Sequence, residues 1–552
     1  MTSRPAASRT TRAERLALPL ARDVITAVAV EHGACIRPVQ LRKTILDTGA
    51  VEQVMVPCGA TLASVCPPCA ERNKVLRIAQ CREGWHLEDE PITDPVAPDE
   101  CQKRLAATLA DLHAERDQAE AAGGDTAEID DLIEAVEGAL ASTGVRGHAD
   151  PSNSDDRAPG SDAAGTRARR HRSTRRRQDA PDLPGRKISP WTLGRVYPGP
   201  NGRLYRPSMF ITLTCPSYGP VRDDGTPADP DGYDYQSAAR DAIHFAALFD
   251  RFVQNLRRFA GYEVQYFAVI EPQRRLAPHV HLAIRGTISR TELRKVLVAT
   301  YHQVWWPATG RARYEGDRLP VWHEPSRRYA DPQTGEFLPT WDEALDAIGP
   351  HDQPRHVVRF GSKFDAQGVL AGSPDAGRCI GYLSKYLVKQ LGECHHADSD
   401  AQRQHVARLM AALEYEPCSP GCANWLRYGI TPKHPRPVLV PGACKGKAHR
   451  PEHLGYAGRR VLVSRKWSGK TLADHRGDRQ AWLLDALGLP ATSDSTPCTW
   501  ERVTPADADY LPRTRRLLLV VADRMRWKHA LDEARHRARL PDRAPDEAAS
   551  AA

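Results

Sequence analysis

Short apolar runs rich in β-branched and aromatic residues mark "SMFITLT" (208–214), "EVQYFAVIEP" (263–272) and "PHVHLAIRG" (278–286) as strands. Between them, "AARDAIHFAALFDRFVQNLRRFAG" (238–261) has the spacing of a long amphipathic helix. "SRTELRKVLVATYHQVWWP" (289–307) reads as a second helix opened by a serine cap. After a polar, proline-rich stretch, "RHVVRFGSKF" (355–364) predicts a further strand, and a helix follows from about Gly377. Antiparallel strands with helices packed on one face is the simplest α+β architecture for this order.

The flanks are patterned differently. Leu105, Leu109 and Leu112, then Ile129, Leu132, Ile133, Val136 and Leu140, predict a helical hairpin broken at "AAGGD". Residues 144–165 have the Gly/Pro/Ser/Asp bias of a linker, and 514–540 predict a basic C-terminal helix of no evident role. No internal repeat is present. The divisions expected are an N-terminal cysteine module at 1–95, the hairpin and basic linker at 96–190, and the strand-rich domain at 191–395. A Cys/His-rich basic module at 396–480 and a helical region at 481–552 follow.

A chain of 552 residues with 41% apolar content supports several cores. Net charge is only +8, but the basic residues are clustered. The run "RARRHRSTRRR" (167–177) holds seven arginines, and 444–476 carry nine Lys/Arg against Glu452 and Asp474. Such blocks suit a polyanion. Arg459, Arg460, Arg465, Lys466 and Lys470 form the DNA-contacting set expected in the second block. Trp467 among them is either a stacking platform for bases or a core residue. No secretory signal and no apolar run of about 20 residues is present, so a cytoplasmic protein without membrane contact is expected. Its thirteen cysteines then read as metal ligands or buried thiols, not disulfides.

Three clusters carry candidate chemistry. In "PHVHLAI", period two puts His279 and His281 on one strand face and Val280, Leu282 and Ile284 on the other. Glu271 ends the preceding strand, and "PQRRLAP" can turn the chain back so that the carboxylate meets the imidazoles. Such a set accepts a divalent metal. In "CIGYLSKYLVKQ" (379–390), helical spacing gathers Tyr382, Lys385, Tyr386 and Lys389 on one face and Ile380, Leu383, Leu387 and Leu391 opposite. The third cluster is cysteine: Cys58-x7-Cys66-x2-Cys69 lacks one tetrahedral ligand, for which Cys81 and His86 are candidates. A looser group, Cys418, Cys422 and Cys444, is completed by His449 or His453.

These motifs resemble the HUH endonucleases, named for His-hydrophobe-His, and within them the rolling-circle replication initiators. "FITLT" (210–214) looks like the first motif, "PHVHLAI" like the histidine strand, and "YLSKYLVK" (382–389) like the nucleophile motif of the two-tyrosine branch. "CIRPVQLR", "VCPPCAE", "CANWLRYG" and "GRRVLVSRKWSGKTL" extend the likeness to initiators of actinobacterial plasmids and integrative conjugative elements. The resemblance covers roughly residues 30–95 and 170–480.

It implies an antiparallel-sheet HUH domain and a tyrosine that attacks a DNA phosphodiester, keeping the 5′-phosphate. Mg or Mn would be held by His279, His281 and Glu271. Lys385 and Lys389 would stabilise the developing charge or grip the backbone. Cys35 would be the fourth ligand of a structural zinc. Origin DNA, a host helicase and a polymerase are the partners implied. Rival readings are a two-tyrosine transposase, and a zinc-bearing DNA-binding regulator without catalysis. A relaxase fits less well because a third histidine from a histidine cluster is absent.

Overall fold

The three expected strands lie together in one antiparallel sheet. The computed structural model describes residues 19–85, 87–91, 100–121, 180–199, 202, 204–349, 351–370, 373–385, 387–388, 392, 398–486 and 498–538, with positions 129, 132, 133 and 136. The chain begins with α1 (Pro19–Glu31), β1 (Val39–Ile45), β2 (Val51–Val56), α2 (Pro67–Trp85) and α3 (Glu100–Ala121). Leu109, Leu112 and Ile133 form the seam of the hairpin, with Leu105, Ile129, Leu132 and Val136 packed on it. Leu140 and the arginine run at 167–177 lie outside the described residues.

The central region contains β3 (Ser208–Thr214), α4 (Tyr235–Ala260), β4 (Tyr266–Pro272), β5 (Pro278–Arg285), α5 (Arg290–Ala299), β6 (Tyr301–Val304), β7 (His356–Arg359), β8 (Phe364–Val369) and α6 (Pro374–Lys385). After it come α7 (Asp400–Glu414), β9 (Val461–Val463), α8 (Leu472–Ala486), β10 (Cys498–Arg502) and α9 (Arg513–Ala538). The five-stranded sheet has the order β8-β3-β5-β4-β9, with every neighbouring pair antiparallel. The fold is therefore mixed α+β on antiparallel sheets.

Helices cover both faces of this sheet, not one. Ile211, Leu213, Ile270, Val280, Leu282 and Ile284 pack into one core with Phe245, Leu248, Phe249 and Phe252 of α4. Fully burying each such side chain contributes about 1.5–3 kcal/mol. On the other face, Phe267, Val269 and Ala283 meet Cys81 and Trp85 of α2 and Ile380 and Leu383 of α6. The expectation of helices on one face rests only on the order of strands and helices along the chain. Yet β5 is buried at all eight positions; its polar side chains face another helix, not water.

Local signals set several boundaries. Asp234 caps α4 by accepting from the Ser237 N–H, and Gly261 ends it in the left-handed region at φ 76°. Ser289 and Glu292 close a reciprocal capping box at the start of α5. The helix expected over 289–307 stops at Ala299, because Tyr301–Val304 pairs with His356–Arg359. The partner lies more than fifty residues away, so this tertiary pairing overrides a helical start that extrapolates smoothly. Strand "RHVVRFGSKF" likewise ends at Arg359, and the next strand, β8, joins the large sheet beside β3.

The C-terminal helix acquires a structural role. β10 pairs with β1, and Val521 of α9 packs with Ala29 and Ala34 beside α1. The Arg42 guanidinium donates to Asp509 at 2.7 Å and Glu501 at 3.1 Å, fixing the same junction.

Candidate active site and metal centres

The β4–β5 hairpin sets the first centre by register. Glu271 is paired with His279, and across β3 Thr212 is paired with His281 and Thr214 with His279. Gln273 N–H donates to the Ala277 carbonyl in the turn, and Leu276 takes φ 61° there. The Arg275 guanidinium donates to the carbonyls of Cys215 and Pro216, both at 2.7 Å. The hairpin is thus fixed against the end of β3.

Glu271 Oε1 lies 3.0 Å from His279 Nε2 and 2.8 Å from His281 Nε2, and the two Nε2 atoms are 2.7 Å apart. All three residues are buried. Burial alone would push the Glu271 carboxyl up, but its hydrogen bonds to His279 and His281 outweigh this and hold it at about 2. Burial pushes His279 below the ordinary histidine range, outweighing the opposing pull of Glu271. The result is an ionised carboxylate beside an imidazole biased to its neutral, ligating form. His281 Nδ1 is 2.8 Å from Thr212 Oγ1, a contact that fixes the ring and leaves Nε2 turned inward. His279 Nδ1 is buried with no hydrogen-bond partner. One carboxylate and two imidazoles converging on a point fit a divalent cation. The separations also sit near the ~3.0 Å edges that ~2.1 Å bonds make at right angles in an octahedral shell.

Tyr382 meets this centre from α6. Its phenol oxygen is 3.3 Å from His281 Nε2. Its ring stands edge-on to His281, at 4.7 Å between centroids, and to Phe210, at 6.1 Å. Phe210 is in turn stacked parallel on His281 at 5.9 Å. Ala376, Cys379, Ile380 and Leu383 bury the opposite side of α6, so amphipathic spacing delivers the tyrosine to the triad. Tyr382 remains 41% exposed and therefore reachable by a large substrate. Lys385 is exposed at the end of the helix. Tyr386, Lys389 and Leu391 lie outside the described residues. Sequence reading missed two supports of the site, Thr212 and Phe210. Both lie within the "FITLT" stretch, but only the β3–β5 register reveals their partners.

Cys35, Cys58, Cys66 and Cys69 form a second centre, with Sγ atoms 3.8 Å apart in the Cys58–Cys69 and Cys35–Cys66 pairs. Four thiolates bound at ~2.3 Å to a tetrahedral zinc lie ~3.8 Å from one another. Backbone N–H groups of Arg37 and Cys58 donate to Cys35 Sγ, and Arg72 donates to Cys69 Sγ at 3.2 Å. Hydrogen bonds from Cys35, Cys58 and Cys66 hold the Cys69 thiol far below its ordinary range. Cys81, the alternative fourth ligand, is instead buried in the core beneath α6, and His86 lies outside the described residues.

The third centre is Cys418, Cys422, Cys444 and His449. Cys418 and Cys444 are 3.9 Å apart, and Cys422 Sγ is 3.6 Å from His449 Nε2. His449 Nδ1 lies 3.0 Å from the Leu413 carbonyl, which orients Nε2 toward the sulfurs. His449, not His453, completes the set. Both clusters have the donor type and spacing of structural zinc sites.

The basic stretch after His449 is less open than its composition suggests. Arg459, Arg465 and Lys470 are exposed and Arg460 and Lys466 half-buried. Lys466 is paired with Glu263 at 2.8 Å and Lys470 with Asp478 at 2.7 Å. Trp467 is fully buried between Trp85 and Phe267, its indole N–H donating to the Cys81 carbonyl. It is a core residue and is not available for base stacking. Among the described residues no helix is long and apolar enough to cross a membrane.

Residues 21–524 match the family model RepSA, described as "Replication initiator protein, pSAM2". A "Replication initiator protein" from Streptomyces ambofaciens is 25% identical over 270 residues, 40% of this chain and 52% of the relative. The chain thus spans about half the length of that curated relative. No solved structure matches. With nearly its whole length covered by the family model, the chain belongs to the RepSA family of replication initiator proteins.

Proposed function

We propose that the chain is a plasmid-type initiator of the HUH superfamily that nicks and rejoins one strand at its replication origin. The observation that carries this reading is the Tyr382 phenol oxygen 3.3 Å from His281 Nε2, at the edge of a buried carboxylate–imidazole triad. Family membership supports initiation of replication over transposition. The catalytic arrangement favours an enzyme over a DNA-binding regulator.

Tyr382 Oη attacks the scissile phosphorus, and the bond from phosphorus to the 3′-oxygen breaks. The phenol proton is lost to water through the open side of Tyr382, and the departing 3′-oxygen gains one. One phosphodiester replaces another, so the step is reversible and needs no external energy. Glu271, His279 and His281 would hold a divalent cation such as Mg²⁺ or Mn²⁺, which would supply Lewis-acid polarisation of the phosphate. Phe210 and His281 pack the Tyr382 ring so that its oxygen is positioned before substrate arrives. Lys385, at the end of the same helix, contributes positive charge near the phosphate.

The freed 3′-OH is the end a polymerase extends, and a helicase unwinding from the nick is the second partner implied. Tyr386, one turn after Tyr382 in sequence, serves a second cut that ends a replication round. Exposed Arg459 and Arg465 contact the DNA backbone, in the cytoplasm.

A nicking assay against single-stranded DNA from the region flanking the gene tests this. We expect a covalent protein–DNA adduct that disappears in EDTA while DNA binding persists. Cleavage that persists in EDTA removes the metal role, and absence of any adduct across the flanking sequence overturns the reading.

A further inference from the structure

The four-cysteine cluster brackets a loop that reaches the chain just after the nucleophile helix. Between Cys58 and Cys66 the chain forms a loop, and within it the Ala63 N–H donates to the Val388 carbonyl at 2.9 Å. Val388 lies six residues after Tyr382, just beyond the helix end. The loop is held on several sides. The Leu62 carbonyl accepts from both Val65 and Cys66, and the Asn73 side chain donates to the carbonyls of Gly59 at 2.9 Å and Ala60 at 3.0 Å. From Cys66 the chain enters α2, whose Cys81 and Trp85 share a core with Cys379, Ile380, Leu383 and Leu387. One cysteine-held unit therefore touches the nucleophile segment twice: along the buried side of α6, and at the backbone just past its end.

We propose that the loop between Cys58 and Cys66 is a positioning clamp for Tyr382, with Ala63 and Val388 as its contact. This rests on the nicking reading above. Held metal fixes both ends of the 58–66 loop, so the Ala63 donor stays in place. The backbone past Tyr382 is then kept from fraying, and the phenol stays over the triad. A helix end otherwise has unsatisfied carbonyls and frays readily. The Ala63 bond meets one carbonyl of the exiting chain from outside the helix. Metal loading of the four-cysteine cluster would in this way govern the rate of strand cleavage.

Ala63→Pro removes the donor and leaves all four cysteines. It should retain zinc content and single-strand binding, while covalent capture falls at least ~10-fold, as expected when a nucleophile loses its orientation. Trypsin should also cut faster after Lys385. Ala63→Ser, which keeps the N–H, should restore both readouts. Should Ala63→Pro lose zinc, Asn73→Ala loosens the same loop without touching a ligand and should shift both readouts in the same direction. Wild-type capture and trypsin resistance in a zinc-replete Ala63→Pro protein, or in Asn73→Ala where Ala63→Pro cannot hold zinc, overturn the clamp. The trypsin readout does not depend on catalysis, so the clamp can stand or fall even where wild-type protein captures no DNA.

Discussion

The phenol oxygen of Tyr382 lies 3.3 Å from Nε2 of His281, although the two residues are 101 positions apart. This contact places Tyr382 at the edge of the carboxylate–imidazole triad. On the nicking reading proposed above, Tyr382 makes the first attack. Tyr382→Phe should abolish the first covalent adduct, a loss on the order of 10³-fold or more for a removed nucleophile. Tyr386→Phe should retain that adduct and lose strand transfer to a second origin copy. Denaturing gels with labelled origin oligonucleotides read both, and an unchanged adduct in Tyr382→Phe contradicts the assignment.

The two cysteine-bearing centres predict two zinc ions per purified chain, measured by metal analysis. Structural zinc contributes on the order of 10 kcal/mol or more to the folding of small modules, so losing a ligand should be costly. Cys58→Ser and Cys422→Ser should each remove one equivalent of zinc and lower the melting temperature. Zinc-free protein with wild-type melting behaviour would contradict both sites.

Acid should destabilise the α4 side of the central domain through two buried histidines. His244 is buried against Trp306 and His302, with its Nε2 unpartnered. Burial, reinforced by His302, His356, Arg355 and Arg240, lowers it to about 3. Burial likewise lowers His302 to about 4. Both values lie below that of the unfolded chain, so as pH falls through about 6.5 the unfolded state takes up protons that the folded state refuses. Stability is therefore intact above that pH and falls below it, by about 2 kcal/mol for His244 between pH 7 and pH 5. Thermal melts across this range should show the decline, and His244→Phe should flatten it. An equal slope in the variant refutes the assignment.

Trp467 sits in a basic stretch but works in the core. Trp467→Ala should cost about 3–5 kcal/mol, as large aromatic truncations in cores do. Trp467→Phe should cost less, and neither should change the salt dependence of DNA binding. A loss of DNA affinity at unchanged melting temperature would restore the stacking role.

Much of the candidate site was legible in the sequence because its geometry is set by local periods. Period two put His279 and His281 on one face, and a short turn brought Glu271 opposite them. Helical spacing separated Tyr382 from Ile380 and Leu383. The seam of the N-terminal hairpin was readable for the same reason, as was the cap at Ser289. What the sequence determined, then, was which residues share a face within each element.

Only the tertiary structure decided which faces meet. That α6 and α2 cover the histidine side of the sheet follows from apolar burial on a strand whose polar positions imitate a solvent face. The end of α5 at Ala299, the pairing of β10 with β1 and the choice of His449 over His453 depend on partners tens to hundreds of residues away. Local periodicity carries no trace of such partners, because register and docking are fixed by packing and hydrogen bonding between elements. The same physics buried Trp467, placed Thr212 behind His281 and brought Ala63 to Val388.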